Sequence, residues 1–373
     1  MYIQLPSRMQ ILFATLFIVL ISLSGCYNET ENSFNGEVRY ISSFDTVQTL
    51  SGEKLPYINS IGCYGCDVSY PYLMLSLAKQ DSLLAIYDIE KELFLGNFFS
   101  IGSGPDDFRS FIITSQCVDS VIIVNDIYDK KLKMIRLPET ISKKRAVYDN
   151  ILEYEGMHEM IFYIDSLLWM KNLIDDKITY TSSKVGYPIK TLYKESIGRH
   201  DLDNMLLLSD AIKPDGHKIV SLSGVLNQID ILSLDSDKSD ISVTASNELV
   251  TFKQLQKNKY KHVKDHFLSI PRCNDKYIFA LHISHDTNKK SLYVIDWDGK
   301  GIANYLLDED VIDFCVDWNR NVIYGITSSE EIYKYTFDLN RTSGILEKRM
   351  PQYSQAHLDR NLLCSMKYHY SKK

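Results

Sequence analysis

The amino-acid sequence predicts an all-β protein, a six-bladed β-propeller in which each blade contains four antiparallel strands. Two observations carry this prediction: a short hairpin pattern occurs six times, and its copies are about 48 residues apart on average, which is typical of propeller blades. A third observation concerns the N-terminus, where a short apolar run ends at a cysteine ahead of the first hairpin. The 373 residues, 45% of them hydrophobic, can supply a core of this size.

Each copy of the pattern begins with a polar turn that leads into a short run of β-branched, aromatic or other apolar residues. The copies begin at Asp81, Asp119, Asp165, Asp215, Asp275 and Asn319. Such runs are too short for core helices, and their nearly continuous apolar character is typical of strands that are covered on both faces. A second strand follows each copy, in the segments 92–95, 132–135, 178–181, 228–232, 291–295 and 332–336.

Six hairpins cannot bury their faces singly, so they must pack against one another. Radial packing into a propeller achieves this, while a pair of β-sandwiches or a β-solenoid is the alternative. A propeller ring closes when a strand from one terminus completes a blade formed by the other, and the segment 38–44 is the candidate for the blade containing 319–345. The segment 235–270 contains no convincing strand and is interpreted as an insertion, with helix-like spacing at 247–257.

The N-terminal segment has the organisation of a secretory signal, with one basic residue ahead of a hydrophobic stretch at 11–23. A helix of that length spans about 20 Å, less than the roughly 30 Å of a bilayer core. The stretch ends in Leu23, Ser24, Gly25 and Cys26, which resemble the lipobox of bacterial lipoproteins. The resemblance implies cleavage before Cys26 and covalent attachment of acyl chains such as palmitate to that cysteine. An ordinary cleaved signal with a chance cysteine is the alternative.

The residue after the cysteine is Tyr27. In the enterobacterial sorting rule an aspartate at this position retains a lipoprotein at the inner membrane, so Tyr27 favours the outer membrane. Membrane lipid is thus a predicted partner through the anchor. The predicted organisation is a signal peptide at 1–25, a flexible polar tether at 26–36, the propeller at 37–350 and a C-terminal tail at 351–373.

The net charge and the cysteine content indicate which partners and which kinds of cysteine site the sequence favours. The net charge of −7 argues against nucleic acid as a partner, since phosphates require clustered Lys and Arg. The other cysteines lack the regular spacing of a disulfide scaffold. Only Cys63 and Cys66 are close in sequence, and we interpret them as a local disulfide or as two packed thiols. A zinc site would need a second ligand pair, and a redox site a thioredoxin-like context.

The segment 101–108, Ile-Gly-Ser-Gly-Pro-Asp-Asp-Phe, follows the first hairpin. It resembles the Ile-Gly-x-Gly-Pro-x-Glu-Phe signature of the TolB-like six-bladed propeller lipoproteins of Bacteroidota, with Asp107 in place of the usual Glu. The resemblance implies a cell-envelope lipoprotein and assigns no catalytic residue. We expect a structural loop in which glycines with positive φ allow a tight bend, Pro105 fixes the exit and Phe108 fills the space between adjacent blades.

Other candidate sites are weak, and the sequence predicts no catalytic residue and no metal site. His262 and His266 would lie on one face of a helix, but the Glu of a metalloprotease helix is absent. His282 and His285 flank the end of a strand. The segment 296–301 resembles the start of a calcium loop without its bidentate Glu, so a hairpin turn explains it and calcium is only a minor alternative.

Three functional hypotheses follow. The first is an envelope lipoprotein whose propeller binds a protein, peptide or glycan ligand without catalysis. The second is a propeller enzyme of the lactonase, lyase or glycosidase type, and three or more Asp, Glu or His side chains converging on the ring axis would favour it. The third is a redox or metal-handling protein that uses Cys63 and Cys66.

Overall fold

The computed structural model describes residues 37–339 except 60, 79–80, 105, 119, 157, 159, 165–166, 175–176, 185–193, 196–208, 235–239, 246–264 and 285. The predicted signal peptide (1–25), tether (26–36) and C-terminal tail (351–373) lie outside the described residues. The described residues form six separate β-sheets, each built around four antiparallel strands. The prediction of an all-β, six-bladed propeller is confirmed.

The strands are assigned as follows. Three precede the blades: β1 (Glu37–Tyr40), β2 (Thr46–Leu50) and β3 (Glu53–Lys54). Blade I contains β4 (Cys63–Ser69), β5 (Tyr72–Leu77), β6 (Leu84–Asp88) and β7 (Leu93–Phe98). Blade II contains β8 (Ile112–Val118), β9 (Val121–Asp126), β10 (Lys131–Arg136), the short helix α1 (Leu137–Lys143) and β11 (Tyr148–Glu153). Blade III contains β12 (Met160–Ile164), β13 (Leu167–Ile174), β14 (Lys177–Lys184) and β15 (Lys194–Glu195).

The second half of the ring follows the same plan. Blade IV contains β16 (Ser209–Ile212), β17 (Lys218–Leu222), β18 (Ile229–Ser233) and β19 (Ile241–Thr244). Blade V contains β20 (Asp265–Cys273), β21 (Tyr277–Ser284), β22 (Lys290–Asp296) and β23 (Gly301–Leu307). Blade VI contains β24 (Val311–Asp317), β25 (Val322–Thr327) and β26 (Ile332–Thr336), and β3 is its fourth strand. None of the described helices has the length and hydropathy of a membrane-spanning segment.

The core consists of apolar clusters between neighbouring blades. Six such clusters are present among the described residues, and each joins two adjacent sheets. Blade I, for example, packs through Leu75 against Tyr324 of blade VI, and Phe162 of blade III packs with Leu232 of blade IV. Both faces of every sheet are therefore covered, which is why the strands read as continuous apolar runs. The first strands β4, β20 and β24 pack beside one another at the centre.

The first 18 residues of the described chain, 37–54, form a segment that we call the N-terminal strap. Its strand β1 pairs in parallel with β19 of blade IV, and β2 pairs in parallel with β23 of blade V. Only then does β3 pair with β26 and complete blade VI. The prediction that an N-terminal strand closes the ring is confirmed, but the choice of segment 38–44 was wrong. That segment meets blade IV because the strap passes two blades before it reaches the closing edge.

In blade I, the predicted strands were assigned to the wrong positions within the blade. From Asp119 onward, each predicted first strand is the second strand of its blade, as with β9, β13 and β17. The copy at Asp81 instead corresponds to β6, the third strand, and the true equivalent is β5. The polar turns at both ends of a blade have similar composition, so the Asp-Ser pair at 81–82 matched the one at 119–120 although it occupies a different turn.

The predicted insertion at 235–270 is partly wrong. Strand β19 lies inside it and completes blade IV, and β20 begins at its end. The long interval between the repeats of blades IV and V comes from the connection between these two strands. The helix-like segment 247–257 lies outside the described residues.

Candidate functional site

The antiparallel order of the strands gives each blade two ends. One end, which we call the hairpin end, carries the turns from the first to the second strand and from the third to the fourth strand. The other, the connection end, carries the turn from the second to the third strand and the link to the next blade. The candidate residues from the sequence analysis are located below relative to these two ends and to the centre of the ring.

A buried ionic cluster joins three blades at the centre of the ring. Arg272 of β20 lies 3.2 Å (Nη1 to Oδ1) from Asp67 of β4 and 3.9 Å (Nη2 to Oδ2) from Asp313 of β24. Its Nε donates to the carbonyl of Phe314 at 2.9 Å, and its Nη2 donates to the carbonyl of Cys66 at 2.8 Å. We call Arg272, Asp67 and Asp313 the axial cluster. It ties blades I, V and VI together across the junction at which the ring closes.

Local backbone geometry places Arg272 there. The pairing of β20 with β21 shifts register between Leu268 and Arg272, and Ser269 within this bulge has φ 65°. A bulge redirects the side chains that follow it. Arg272 therefore points to the neighbouring first strands, where Asp313 also accepts from the backbone N–H of Cys66 at 2.9 Å.

The environment of the axial cluster perturbs its ionisation. Burial raises the pKa of Asp67 to about 6, and the nearby Arg272 charge opposes that rise. Burial also raises the pKa of Asp313, again against the effect of Arg272. Burial alone would lower the pKa of Arg272, but Asp67 and Asp313 raise it on balance, so the guanidinium stays charged. Each of its three nitrogen atoms has a protein partner, which is the behaviour of a structural clamp.

The two cysteines singled out by the sequence lie on β4 and are free thiols in the structure. Both are buried. The thiol of Cys63 contacts the carbonyl of Glu330 at 3.8 Å, and the thiol of Cys66 contacts the carbonyl of Tyr324 at 3.6 Å. The sulfur atoms of Cys63 and Cys66 are thus directed to different acceptors in the structure.

The segment 101–108 forms the link from blade I to blade II, at the connection end. Asp107 closes this loop, since its carboxylate accepts from the hydroxyl of Ser100 at 2.7 Å and from the N–H of Gly104 at 2.8 Å. These two donors hold the pKa of Asp107 below its usual value. The predicted positive φ is wrong for Gly102 and Gly104. Glycine is needed at 102 because an added Cβ would lie 2.2 Å from Oδ2 of Asp107.

The structural interpretation of Phe108 is confirmed. Its side chain is fully buried in the cluster between blades I and II. The ring packs edge-on against Phe99 and Phe111, with centroid distances of 5.2 and 5.0 Å. The Nζ of Lys133 lies 4.1 Å from the ring centroid and 2.8 Å from the buried carboxylate of Asp126. Pro105 lies outside the described residues.

An open depression of about 420 Å³ lies beside this loop at the connection end. We call its lining the loop patch, which consists of Ile101, Gly102, Ser103, Arg109 and Tyr128. Ile101 and Tyr128 are 70% and 62% exposed, which is high for side chains of this size. Arg109 is also largely exposed, and its Nη1 lies 3.5 Å from Oδ1 of Asp129. An aromatic ring, a branched aliphatic chain and a guanidinium thus share one accessible surface.

Each of the two histidine pairs has one member among the described residues, His266 in the first and His282 in the second. His266 lies on strand β20, not on a helix, so that prediction was wrong, and His262 and His285 lie outside the described residues. His282 is buried and stacks on Tyr293, with ring centroids 4.2 Å apart. Burial lowers the pKa of His282 to about 3. Among the described residues, no three His, Cys, Asp or Glu side chains are grouped so as to hold a metal ion.

The hairpin turn predicted at 296–301 is confirmed. It joins β22 to β23 at the hairpin end of blade V. The carboxylate of Asp296 accepts from the backbone N–H groups of Asp298 and Lys300 at 3.0 and 2.8 Å, and Gly299 adopts φ +81°. The polar side chain that suggested a calcium loop is used here to fix the turn itself.

A buried carboxylate in blade IV gives a prediction of pH dependence. Asp230 accepts from Nε2 of Gln228 and from the hydroxyl of Ser242, and burial raises its pKa to about 7 against the effect of both donors. The folded state therefore binds more protons than the unfolded state between about pH 4 and 7, so this group makes stability fall as pH rises through that range. We expect Asp230→Asn to be more stable than the wild type by about 2 kcal/mol at pH 8.

Urea unfolding at several pH values checks this prediction. The advantage of Asp230→Asn should shrink towards pH 5, because the wild-type carboxyl is then protonated in the folded state. Asp45→Asn, at an exposed carboxylate that pairs with Lys300, is the matched control and should show no such gain at pH 8. Wild-type and Asp230→Asn curves that stay parallel at all pH values would contradict the assignment.

Comparisons with known proteins support the fold. No model of a protein family matches the chain, and neither does any curated protein. The crystal structure of a Bacteroides fragilis protein described as a candidate exported protein superposes with a TM-score of 0.50 at 10% identity, covering 80% of this chain and 98% of that one. A member of the DUF4221 family from Bacteroides vulgatus gives a TM-score of 0.48 at 10% identity, covering 80% and 94%. At such identity the first likeness concerns the propeller alone, and the TolB-like relationship stays a prediction.

Proposed function

We propose that this protein is a TolB-like, lipid-anchored propeller of the outer membrane that binds a protein, peptide or glycan through the loop patch, without catalysis. The observation that carries the proposal is the loop patch itself, where Ile101, Arg109 and Tyr128 are exposed around an open depression. Aromatic and arginine side chains are enriched where proteins bind partners. The loop beneath the patch is fixed by Asp107 and Phe108, so the surface is held in place before a ligand arrives.

The arrangement of the buried charges supports a non-catalytic role. A propeller enzyme would use carboxylates near the ring axis, and Asp67 and Asp313 are two carboxylates on first strands that meet at Arg272. Both are engaged by Arg272. Two further buried carboxylates are paired in the same way, Asp126 with Lys133 at 2.8 Å and Asp210 with Lys171 at 3.1 Å. Carboxylates held in this way are committed to the fold.

The path of the chain supports a ligand surface directed away from the lipid. The backbone N–H of Glu37 donates to the carbonyl of Asp240 beside the β18–β19 turn, so the strap begins at the hairpin end of blade IV. The loop patch lies at the connection end. The eleven residues from Cys26 to Glu37 can span at most about 40 Å. Because the strap begins at the hairpin end, an anchor at Cys26 would leave the loop patch, at the opposite end, accessible.

The anchor is tested by Cys26→Ala. We expect the wild-type protein to incorporate labelled palmitate and to partition with membranes. Stable membrane attachment requires more than one acyl chain, and the proposed lipidation of Cys26 supplies more than one. Cys26→Ala should lose both the label and the membrane association, whereas Cys364→Ala, at another cysteine, should keep them. A wild-type protein that stays in the soluble fraction would contradict the anchor.

The binding surface is tested by placing a photo-reactive residue at position 128 or at position 93 of the full chain. Leu93 is the matched control because it is 51% exposed and apolar but lies at the hairpin end. After irradiation of intact cells, we expect a crosslinked product from position 128 that Ile101→Asp abolishes, and none from position 93. Equal products from both positions, or none from 128, would contradict the loop patch as the binding surface.

A further inference from the structure

Two cysteines that are distant in the sequence meet where the ring closes. Cys66 lies on β4 of blade I and Cys315 lies on β24 of blade VI, and these first strands pack beside one another. Both side chains belong to the apolar cluster between these two blades, and they are 1% and 2% exposed. Both are free thiols in the structure.

The backbone register brings the side chains of Cys66 and Cys315 to the same part of this cluster. Cys315 pairs with Tyr324 in the ladder between β24 and β25, and the thiol of Cys66 contacts the carbonyl of this same Tyr324 at 3.6 Å. Each of these two thiols also affects the pKa of the other, which fits side chains that are close together in the cluster. Cys63 is directed elsewhere, to the carbonyl of Glu330 in the turn between β25 and β26. In the chain, the cysteine nearest to Cys66 is Cys63. In the fold, Cys66 and Cys315 lie in the same cluster while the thiol of Cys63 is directed away from them.

We infer that Cys66 and Cys315 are the site of a disulfide bond that joins the first blade to the last. The inference rests on the export that the proposed function includes, because disulfides form and persist in oxidising compartments. Two S–H bonds break and one S–S bond forms. The two electrons and two protons pass to a disulfide-bonded thiol oxidant, such as oxidised glutathione or a disulfide oxidoreductase, which is thereby reduced to two thiols.

The burial of this pair determines when the bond forms. The thiolate is the reactive species, and burial raises the pKa of both Cys66 and Cys315. In the closed ring the sulfur atoms are therefore protonated and shielded from an oxidant. Exchange takes place while blades I and VI are still apart, and the packed junction then protects the bond from reductants. The bond closes a loop that contains most of the propeller, which is the arrangement in which a crosslink restricts the unfolded chain most.

The test is refolding of the full chain. The protein is unfolded in denaturant with reductant and then refolded either with a mixture of reduced and oxidised glutathione or with reduced glutathione alone. Free thiols are alkylated, and the digested peptides are identified by mass spectrometry. We expect a peptide pair joined through Cys66 and Cys315 after oxidative refolding only, with Cys63 and Cys273 alkylated. The oxidised protein should also unfold at a higher temperature than the reduced one.

Variants make the result specific. Cys66→Ser and Cys315→Ser should each abolish the linked peptide and the difference in unfolding temperature between the two refolding conditions. Cys273→Ala, at a thiol directed to the carbonyl of Ile212, should retain both. A Cys63–Cys66 linkage in the oxidised wild type, or alkylation of both Cys66 and Cys315, would overturn the inference.

The same digest separates this inference from the proposed anchor. Protein extracted from the membrane with detergent is alkylated before digestion, and the N-terminal peptide reports whether Cys26 carries lipid. Lipid on Cys26 together with a Cys66–Cys315 linkage supports both proposals. Lipid on Cys26 with both other thiols alkylated overturns the disulfide alone. A linked pair without lipid overturns the anchor alone.

Discussion

Arg272→Met is expected to lower the free energy of unfolding by about 3–5 kcal/mol, the range seen when one partner of a buried ion pair is removed. Asp67 and Asp313 would be left in a buried position without the cation that balances them, and the carbonyls of Phe314 and Cys66 would lose their donors. Unfolding in guanidinium chloride at pH 7 measures the loss. Lys300→Ala, which removes an exposed partner of Asp45, should leave the free energy of unfolding nearly unchanged, because solvent screens such pairs.

The pH dependence identifies the cause of the loss. Without Arg272, the folded-state pKa values of Asp67 and Asp313 would rise further above their unfolded values, so the variant should lose stability as pH rises. The deficit relative to the wild type should therefore be smaller at pH 5 than at pH 8. Adding Asp67→Asn and Asp313→Asn to Arg272→Met should restore part of the stability at pH 8. A deficit that does not change with pH would assign the effect to lost packing instead.

Phe108→Ala is expected to cost about 3–5 kcal/mol, as is usual for the truncation of a fully buried aromatic side chain. The ring fills the space between blades I and II, where it contacts Phe99, Phe111 and Lys133. Phe94→Ala is the matched control, because that ring lies on β7 of blade I but is half exposed. We expect it to cost under about 1 kcal/mol. Thermal and denaturant unfolding measure both variants, and equal losses would contradict the assigned role of Phe108.

The repeat in the sequence was sufficient to predict the propeller, because burial on both faces leaves a strong apolar pattern in every blade. The position of each strand within its blade was harder to predict. Turns at the two ends of a blade use the same polar residues, so the turn before β6 resembles the turn before β9. The misassignment in blade I follows from that local similarity.

The strand that closes the ring left almost no pattern. Its two residues, Glu53 and Lys54, are both exposed and polar. The segment 38–44 carries a more apolar pattern because β1 covers the outer edge of blade IV and Phe44 packs against Tyr293. Strand propensity thus indicated that the N-terminal segment joins a sheet. Which sheet it joins depends on contacts that are distant in the sequence.

The axial cluster could not be predicted for the same reason. Asp67, Arg272 and Asp313 come from three different blades, and only ring closure brings them together. A local signal is Arg272 itself, a charged residue next to the apolar residues Ile270 and Pro271. The loop at 101–108 was easier to interpret, since Asp107 and Phe108 act on residues close by in the chain.

The N-terminal strap also determines how the ring responds to mechanical load. A pull along β1, applied ahead of Glu37, acts in shear on its parallel ladder with β19, so the hydrogen bonds resist together and cannot open one after another. Behind it, β2 repeats this arrangement on β23, and Leu50 fixes its end in the core between blades V and VI. A pulling force is thereby distributed over the sheets of blades IV and V before it reaches the short β3–β26 pairing that closes the ring.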